Sequence, residues 1–169
     1  MKHSITLLAL LFTLALTGCQ TMHTNTTVHP SDAEKAAIQK TYQFIKQAGH
    51  YFIATVDNDQ PRNRPFGTIH IFEDKLYIQT GRKKNVAKQL LANGKAEICA
   101  FNGKEWIRVS GVLVDDPRRE PKASMLDEYP SLKSMYSADD DNTMVLYFKP
   151  GTVTSTIWAF THDPVVMKF

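Results

Sequence analysis

Three cations in a row, Arg82, Lys83 and Lys84, follow Gln79-Thr80-Gly81 where a strand-like run gives way to a helical one. A helix N-terminus carries partial positive charge on its unsatisfied N–H groups and normally draws Asp or Glu. Cations there oppose the dipole unless an anion offsets them. The Thr80 hydroxyl, oriented backbone donors and positive side chains are the parts of a phosphate site. The glycine spacing of a P-loop is absent, so on this loop alone the competing reading is a solvated basic turn.

A second stretch, "PRNRPFG" at 61–67, points the same way. Arg62 and Arg64 stand two apart in a strand and so share a face. Pro65 donates no ladder hydrogen bond and Gly67 has no side chain, which suits a sheet edge or a place where a ligand meets the backbone. The competing reading is an edge strand with two surface arginines. Trp106 and Trp158 could stack on a planar ligand, although aromatics in barrel strands more often fill the core. The histidines are scattered and Ser110 lacks a nucleophile elbow, so no hydrolase constellation is legible. No Cys/His spacing suggests zinc.

These residues need elements to hold them. Ser31-Asp32-Ala33-Glu34 is a capping box, and Ile38, Tyr42 and Ile45 give the helix it opens an apolar stripe that ends at Gly49. "YFIATV" (51–56) and "RNRPFGTIHIF" (62–72) read as two strands around a turn at 57–61, and "LYIQT" (76–80) as a third. A helix of about ten residues follows the basic loop, with Val86, Leu90 and Leu91 apolar and Gly94 as its stop. Asn102-Gly103 marks a hairpin between "AEICAF" and "EWIRVSGVLV". Asp115-Asp116-Pro117 reads as an N-cap with Pro at the first helical position. A short helical turn at 131–136, an acidic loop at 138–142 and a last hairpin lead to an apolar tail. About seven strands with interspersed helices predict a mainly β, α+β fold, an antiparallel, partly open barrel plugged by helices.

At 169 residues, 43% of them hydrophobic and 22% charged, the chain suits one globular domain. A net charge of +3 is too small to imply nucleic-acid binding. The first residues read as a secretory signal: Lys2 and His3 precede an apolar stretch, 5–16, too short to span a bilayer comfortably. It closes on Leu16-Thr17-Gly18-Cys19, which resembles the lipobox of bacterial lipoproteins. The expected organisation is a signal peptide at 1–18, a lipidated Cys19 opening a tether through residue 30, and a domain at 31–169. Gln20 after the Cys fits the periplasmic face of the outer membrane, with attachment by acyl chains alone. Cys99 then has no partner, and its apolar setting predicts a buried, inert thiol.

In order and spacing, Arg62 to Gly67, Thr80 to Leu91, Trp106 to Gly111 and "PSLKSMYSADD" (130–140) resemble the pyridoxamine 5′-phosphate oxidase-like family of FMN-binding split barrels. The resemblance covers Ser31 to Phe169. It implies a homodimer with FMN at the subunit interface. Arg64 and Lys84 would meet the FMN phosphate, helped by Lys83 and Thr80, with Gln79 nearby and Arg82 solvated. Main-chain groups from Pro65 through Phe66 and Gly67 to Ile69 would face the ring edge, and Trp106 would lie near the flavin. Ile69 stands where the oxidase has lysine, and the C-terminal segment lacks its arginine pattern, so vitamin B6 oxidation is not implied. The expected function is an FMN-dependent oxidoreductase acting on a small molecule; the alternative is a flavin- or haem-holding envelope lipoprotein without turnover.

Overall fold

The computed structural model describes residues 29–169; the signal peptide, Cys19 and most of the tether lie outside the described residues. Helix α1 (Asp32–Ala48) opens with the capping box in full: the Ser31 N–H donates to Glu34 Oε2 at 2.7 Å and the Glu34 N–H to Ser31 Oγ at 3.3 Å. Gly49, at φ 77°, takes the left-handed turn that stops it.

Nine strands follow. They are β1 (Tyr51–Asp57), β2 (Gln60–Phe66), β3 (His70–Phe72), β4 (Lys75–Gly81), β5 (Lys95–Phe101), β6 (Trp106–Asp116), β7 (Thr143–Phe148), β8 (Thr154–Trp158) and β9 (Val165–Lys168). Helices α2 (Asn85–Ala92) and α3 (Arg119–Glu128) and a 3₁₀ turn (Pro130–Ser134) interrupt them. All pairings are antiparallel, in the order β2-β1-β5-β6-β7-β4-β3, with β8 on β6 and β9 on β8. This is the mainly β split barrel with helices that the sequence predicts.

The split has a simple origin. β6 is long enough to serve two sheets: residues 106–110 pair with β8, and residues 113–116 pair with β7. On the other side of the barrel the chain makes the matching break. The run 62–72, expected as one strand, divides at Gly67-Thr68-Ile69, because β2 pairs with β1 whereas β3 pairs with β4. Two tyrosines satisfy the backbone freed by that break. Tyr51 Oη donates to Thr68 O at 2.7 Å, and Tyr129 Oη accepts from Ile69 N and donates to Ile69 O at 3.0 and 2.9 Å.

One apolar core fills the barrel, built from Ile53, Ile69, Ile78, Ile98, Ile107 and Leu146, with α1 and α2 closing it. Gly94 touches this frame at its tightest point. Its carbonyl accepts from Leu113 N at 2.7 Å, and a Cβ there would stand 2.6 Å from Leu113 O. Gly94→Ala must push β6 away and is expected to cost about 2 kcal/mol. Urea denaturation reads this directly; a loss below about 0.5 kcal/mol, the scatter of surface substitutions, would contradict the close approach.

Three further expectations need correction. Asp115 and Asp116 are not an N-cap: both remain in β6, and Arg118 takes the cap position of α3. The Asp116 carboxylate is already engaged by Tyr77 Oη at 2.9 Å and by the Arg118 N–H and guanidinium. The apolar tail is a strand, β9, on the edge of β8. Cys99 is exposed, not buried. In β5 it is Ala96, Ile98 and Ala100 that point inward, so the alternation turns Glu97, Cys99 and Phe101 out.

Candidate cofactor-binding site

The break between β2 and β3 leaves a pocket of about 230 Å³. Pro65, Phe66, Gly67 and Thr68 form one wall, Gln79 and Thr80 of β4 the floor, and Lys84 the end beside α2. A third wall, Leu132, Met135 and Tyr136, comes from the strap between α3 and β7. Thr68 locks wall to floor: its hydroxyl accepts from Gln79 N at 3.2 Å.

The floor carries unsatisfied polarity. Gln79 and Thr80 are 5% and 3% exposed, yet among the described residues neither the Gln79 carboxamide atoms nor Thr80 Oγ1 has a hydrogen-bond partner. Buried polar groups are nearly always paired, because an unmade hydrogen bond leaves the desolvation penalty uncompensated. Residues that line a pocket and carry such atoms fit a polar ligand.

The electrostatics agree. Among the described residues, Arg62, Arg82, Arg108, Arg118 and Arg119 each pair with a carboxylate. Arg64 does not. Its guanidinium is held by neutral acceptors: Ile53 O at 3.2 Å, Thr55 Oγ1 at 2.7 Å and Gln89 Oε1 of α2 at 2.8 Å. Burial, with some repulsion from Arg62, lowers its pKa from the usual arginine value. Lys83 and Lys84 are exposed and form no ion pair among the described residues. Lys84 is the N-cap residue of α2, whose first turn has no acidic residue and no capping side chain. Arg82, expected in solvent, is instead clamped to Asp115 through bonds of 3.0 and 2.9 Å. The basic loop therefore has a division of labour: Arg82 fixes it to β6, and the two lysines are unpaired among the described residues.

The strap is tied down over this loop. Asn142 accepts from Arg82 N through its carbonyl at 2.7 Å and from Lys83 N through its side chain at 3.2 Å. The Asp140 carboxylate gathers the N–H groups of Ser137, Asn142 and Thr143. Partial burial opposes its ionisation, but those backbone donors outweigh burial and hold its pKa at about 2. A depressed carboxylate stabilises the fold above the unfolded pKa, roughly 3.9, and loses that contribution as pH falls through the folded value. Acid is therefore expected to loosen the strap between about pH 4 and about pH 2. Asp140→Asn is expected to remove this dependence, which hydrogen exchange at Ser137, Asn142 and Thr143 can follow.

Within one chain the structure brings Pro65, Phe66, Gly67, Gln79, Thr80 and Lys84 to one pocket. Lys83 stands next to Lys84 on the loop, and Arg64 is not among the lining residues, its guanidinium being bonded to Gln89 of α2. Of the main-chain groups from 65 to 69, Thr68 O and both Ile69 groups are committed to tyrosines. Trp106 is not at this pocket, nor is it core. It stacks half-buried on Trp158, with centroids 6.3 Å apart and planes 8° apart, against Phe160. Leu132, Met135 and Tyr136 went unmarked as site residues in the sequence; "PSLKSMY" gave a helical signal and part of the family resemblance, but no site role. A His–Ser pair, His70 Nε2 with Ser124 Oγ at 2.8 Å, also emerges only from the fold. It joins β3 to α3 away from the pocket, and burial lowers the imidazole's pKa. No cluster of metal-ligating side chains occurs among the described residues.

Fold and site define a split barrel with a cationic strand–loop–helix edge. The sequence family described as pyridoxamine 5′-phosphate oxidase matches residues 37–157, and the chain belongs to that family. Among solved structures, a NimC/NimA family protein from Clostridium acetobutylicum is 39% identical, with a TM-score of 0.77, covering 80% of this chain and 94% of its own. A pyridoxamine 5′-phosphate oxidase-related, FMN-binding protein from Nostoc punctiforme shares the fold at 16% identity, covering 84% and 99%, with a TM-score of 0.55. A haem-binding protein from Mycobacterium smegmatis shares it at 14% identity, covering 83% and 59%, with a TM-score of 0.61. No curated protein matches the chain.

Proposed function

We propose that this protein is an FMN-dependent oxidoreductase acting on a small molecule, a homodimer held by lipid on the periplasmic face of the outer membrane. The observation that carries the reading is one pocket lined by Lys84, which pairs with no carboxylate among the described residues, and by Gln79 and Thr80, whose buried side-chain polar atoms are unpartnered there. Lys84, with Lys83, would hold the phosphate, and Thr80 would donate to it. Arg64 would add charge. The Gln79 carboxamide, one donor and one acceptor, suits the polar edge of a flavin ring. Bound FMN supplies hydride or electron transfer at its ring. The FMN-binding relative from Nostoc punctiforme is in keeping with this reading.

The pocket's size supports the dimer. At about 230 Å³ it is smaller than the roughly 300–1,000 Å³ typical of cofactor pockets, so one chain covers a flavin only in part. A sheet face with exposed apolar side chains around the Arg108–Glu97 pair is available for a second copy. Phe52, Phe101 and Val166 stand 52%, 62% and 58% exposed on the outer side of β1, β5 and β9. A patch of that kind on a soluble chain marks an interaction surface. Phe52→Asp with Phe101→Asp is expected to give a monomer by light scattering and to weaken FMN binding at least tenfold. A double variant that stayed dimeric would move the interface elsewhere.

A second reading is a flavin or haem holder without turnover. Among the residues lining the pocket, Lys84 and Tyr136 alone are titratable, so no carboxylate or imidazole stands ready as a general acid or base. Visible spectra of the purified protein, with and without NADH or NADPH, separate the two: flavin that bleaches supports the oxidoreductase, and bound flavin that no donor reduces supports the holder. Lipid attachment is tested by Cys19→Ala, which is expected to move the protein from the membrane to the soluble fraction.

A further inference from the structure

The strap carries a tyrosine hydroxyl with no partner among the described residues. Tyr136, half-buried just after the 3₁₀ turn, has its backbone N–H on Leu132 O at 2.9 Å, but its phenol makes no hydrogen bond to any described residue. Several other strap groups are engaged: Ser134 Oγ with Ser131 O, Asp139 with Arg119, Asp140 with three backbone N–H groups. The phenol's position is also defined. A Cβ on Gly81 would lie 3.3 Å from Tyr136 Oη, so the hydroxyl sits against the Gly81 backbone, one residue beyond Thr80 and three before Lys84. Thr80, whose Oγ1 is buried and has no partner among the described residues, lines the same pocket.

The geometry points to Tyr136 as a phosphate-binding residue, closing the anion site from the strap side opposite Lys84. This inference rests on the reading of the pocket as an FMN site and adds a residue to it. The phenol lies at the Gly81–Lys84 end, where the cations and the α2 N-terminus are, and not at the Gly67–Thr68 end. A phosphate carries acceptors only, so a neutral phenol can donate there without adding charge. The pocket would then hold its anion between a fixed loop and a strap that Asp140 and Asn142 keep in place.

The test compares two ligands that differ by the phosphate. Flavin-free protein and its Tyr136→Phe variant are titrated with FMN and with riboflavin, following quenching of flavin fluorescence. A hydrogen bond to a charged group is worth about tenfold or more in affinity. Tyr136→Phe is expected to weaken FMN binding by about that factor, to leave riboflavin binding unchanged, and to leave the melting temperature of the flavin-free protein unchanged, because no intrachain hydrogen bond is lost. Equal FMN affinity in both proteins overturns the assignment. So does an equal loss for FMN and riboflavin, which would place Tyr136 on the ring or in a structural role. If the unmutated protein binds FMN no better than riboflavin, the phosphate site itself is wrong and the inference falls with it.

Discussion

FMN at a hundredfold excess over its dissociation constant will raise the melting temperature of the flavin-free protein by roughly 5–10 °C. The size follows from mass action: a ligand that binds only the folded state adds about 2.7 kcal/mol at that excess. For a chain of this length each kcal/mol moves the midpoint by roughly 2–4 °C. Only the folded state brings Gln79 and Thr80 of β4 alongside the Pro65–Thr68 wall, since these segments belong to strands that meet across the split. The unfolded chain has no such site to compete. A differential scanning measurement with FMN, riboflavin and inorganic phosphate separates ring from phosphate contributions. No shift with FMN at millimolar concentration would falsify the cofactor assignment while leaving the fold untouched.

The second large effect is a contrast between two cations. Lys84→Ala is expected to weaken FMN binding by about 10- to 100-fold, the loss of one charge-assisted contact. It should leave the stability of the flavin-free protein unchanged, because the Lys84 side chain is exposed and has no hydrogen bond or ion pair among the described residues. Arg64→Ala is expected to cost both affinity and stability. Its guanidinium ties β2 to β1 through Ile53 O and Thr55, and to α2 through Gln89, which is 8% exposed. Hydrogen bonds involving a charged partner are worth about 1.5–3 kcal/mol each, although Thr55 and Gln89 keep their own 2.7 Å bond after truncation. A net loss of about 2 kcal/mol is therefore expected. Urea denaturation and FMN titration on both variants give four numbers. If Lys84→Ala binds FMN as tightly as the parent, the phosphate lies elsewhere; if Arg64→Ala is as stable as the parent, its three bonds are not formed in solution.

Much of the barrel was legible in local signals. The capping box at Ser31, the Gly49 stop and the turn at Asn102-Gly103 depend on residues within four positions of each other, and each stands where the sequence put it. The strand–basic loop–helix edge was legible for the same reason: Thr80 to Val86 is one contiguous stretch whose charges contradict the helix dipole. The failures share another cause. Asp115-Asp116-Pro117 carries a good local helix signal, but β7 pairs with both aspartates and Tyr77 and Arg118 occupy the Asp116 carboxylate. The run 62–72 looks like one strand until two different partners, β1 and β4, pull its halves apart.

By itself the sequence determined the family, the antiparallel barrel and the cationic loop, because family motifs, turn residues and charge runs are short-range patterns that a single chain displays openly. The tertiary structure alone decided which cation is spent on the fold and which is free. Arg82 meets Asp115, thirty-three positions on, whereas Lys84 has no such partner among the described residues. It also brought the Tyr136 strap over the pocket and turned Cys99 and Phe101 outward. These outcomes depend on pairing between segments far apart in the chain. Residue types limit such pairings, but only closure of the barrel selects among them.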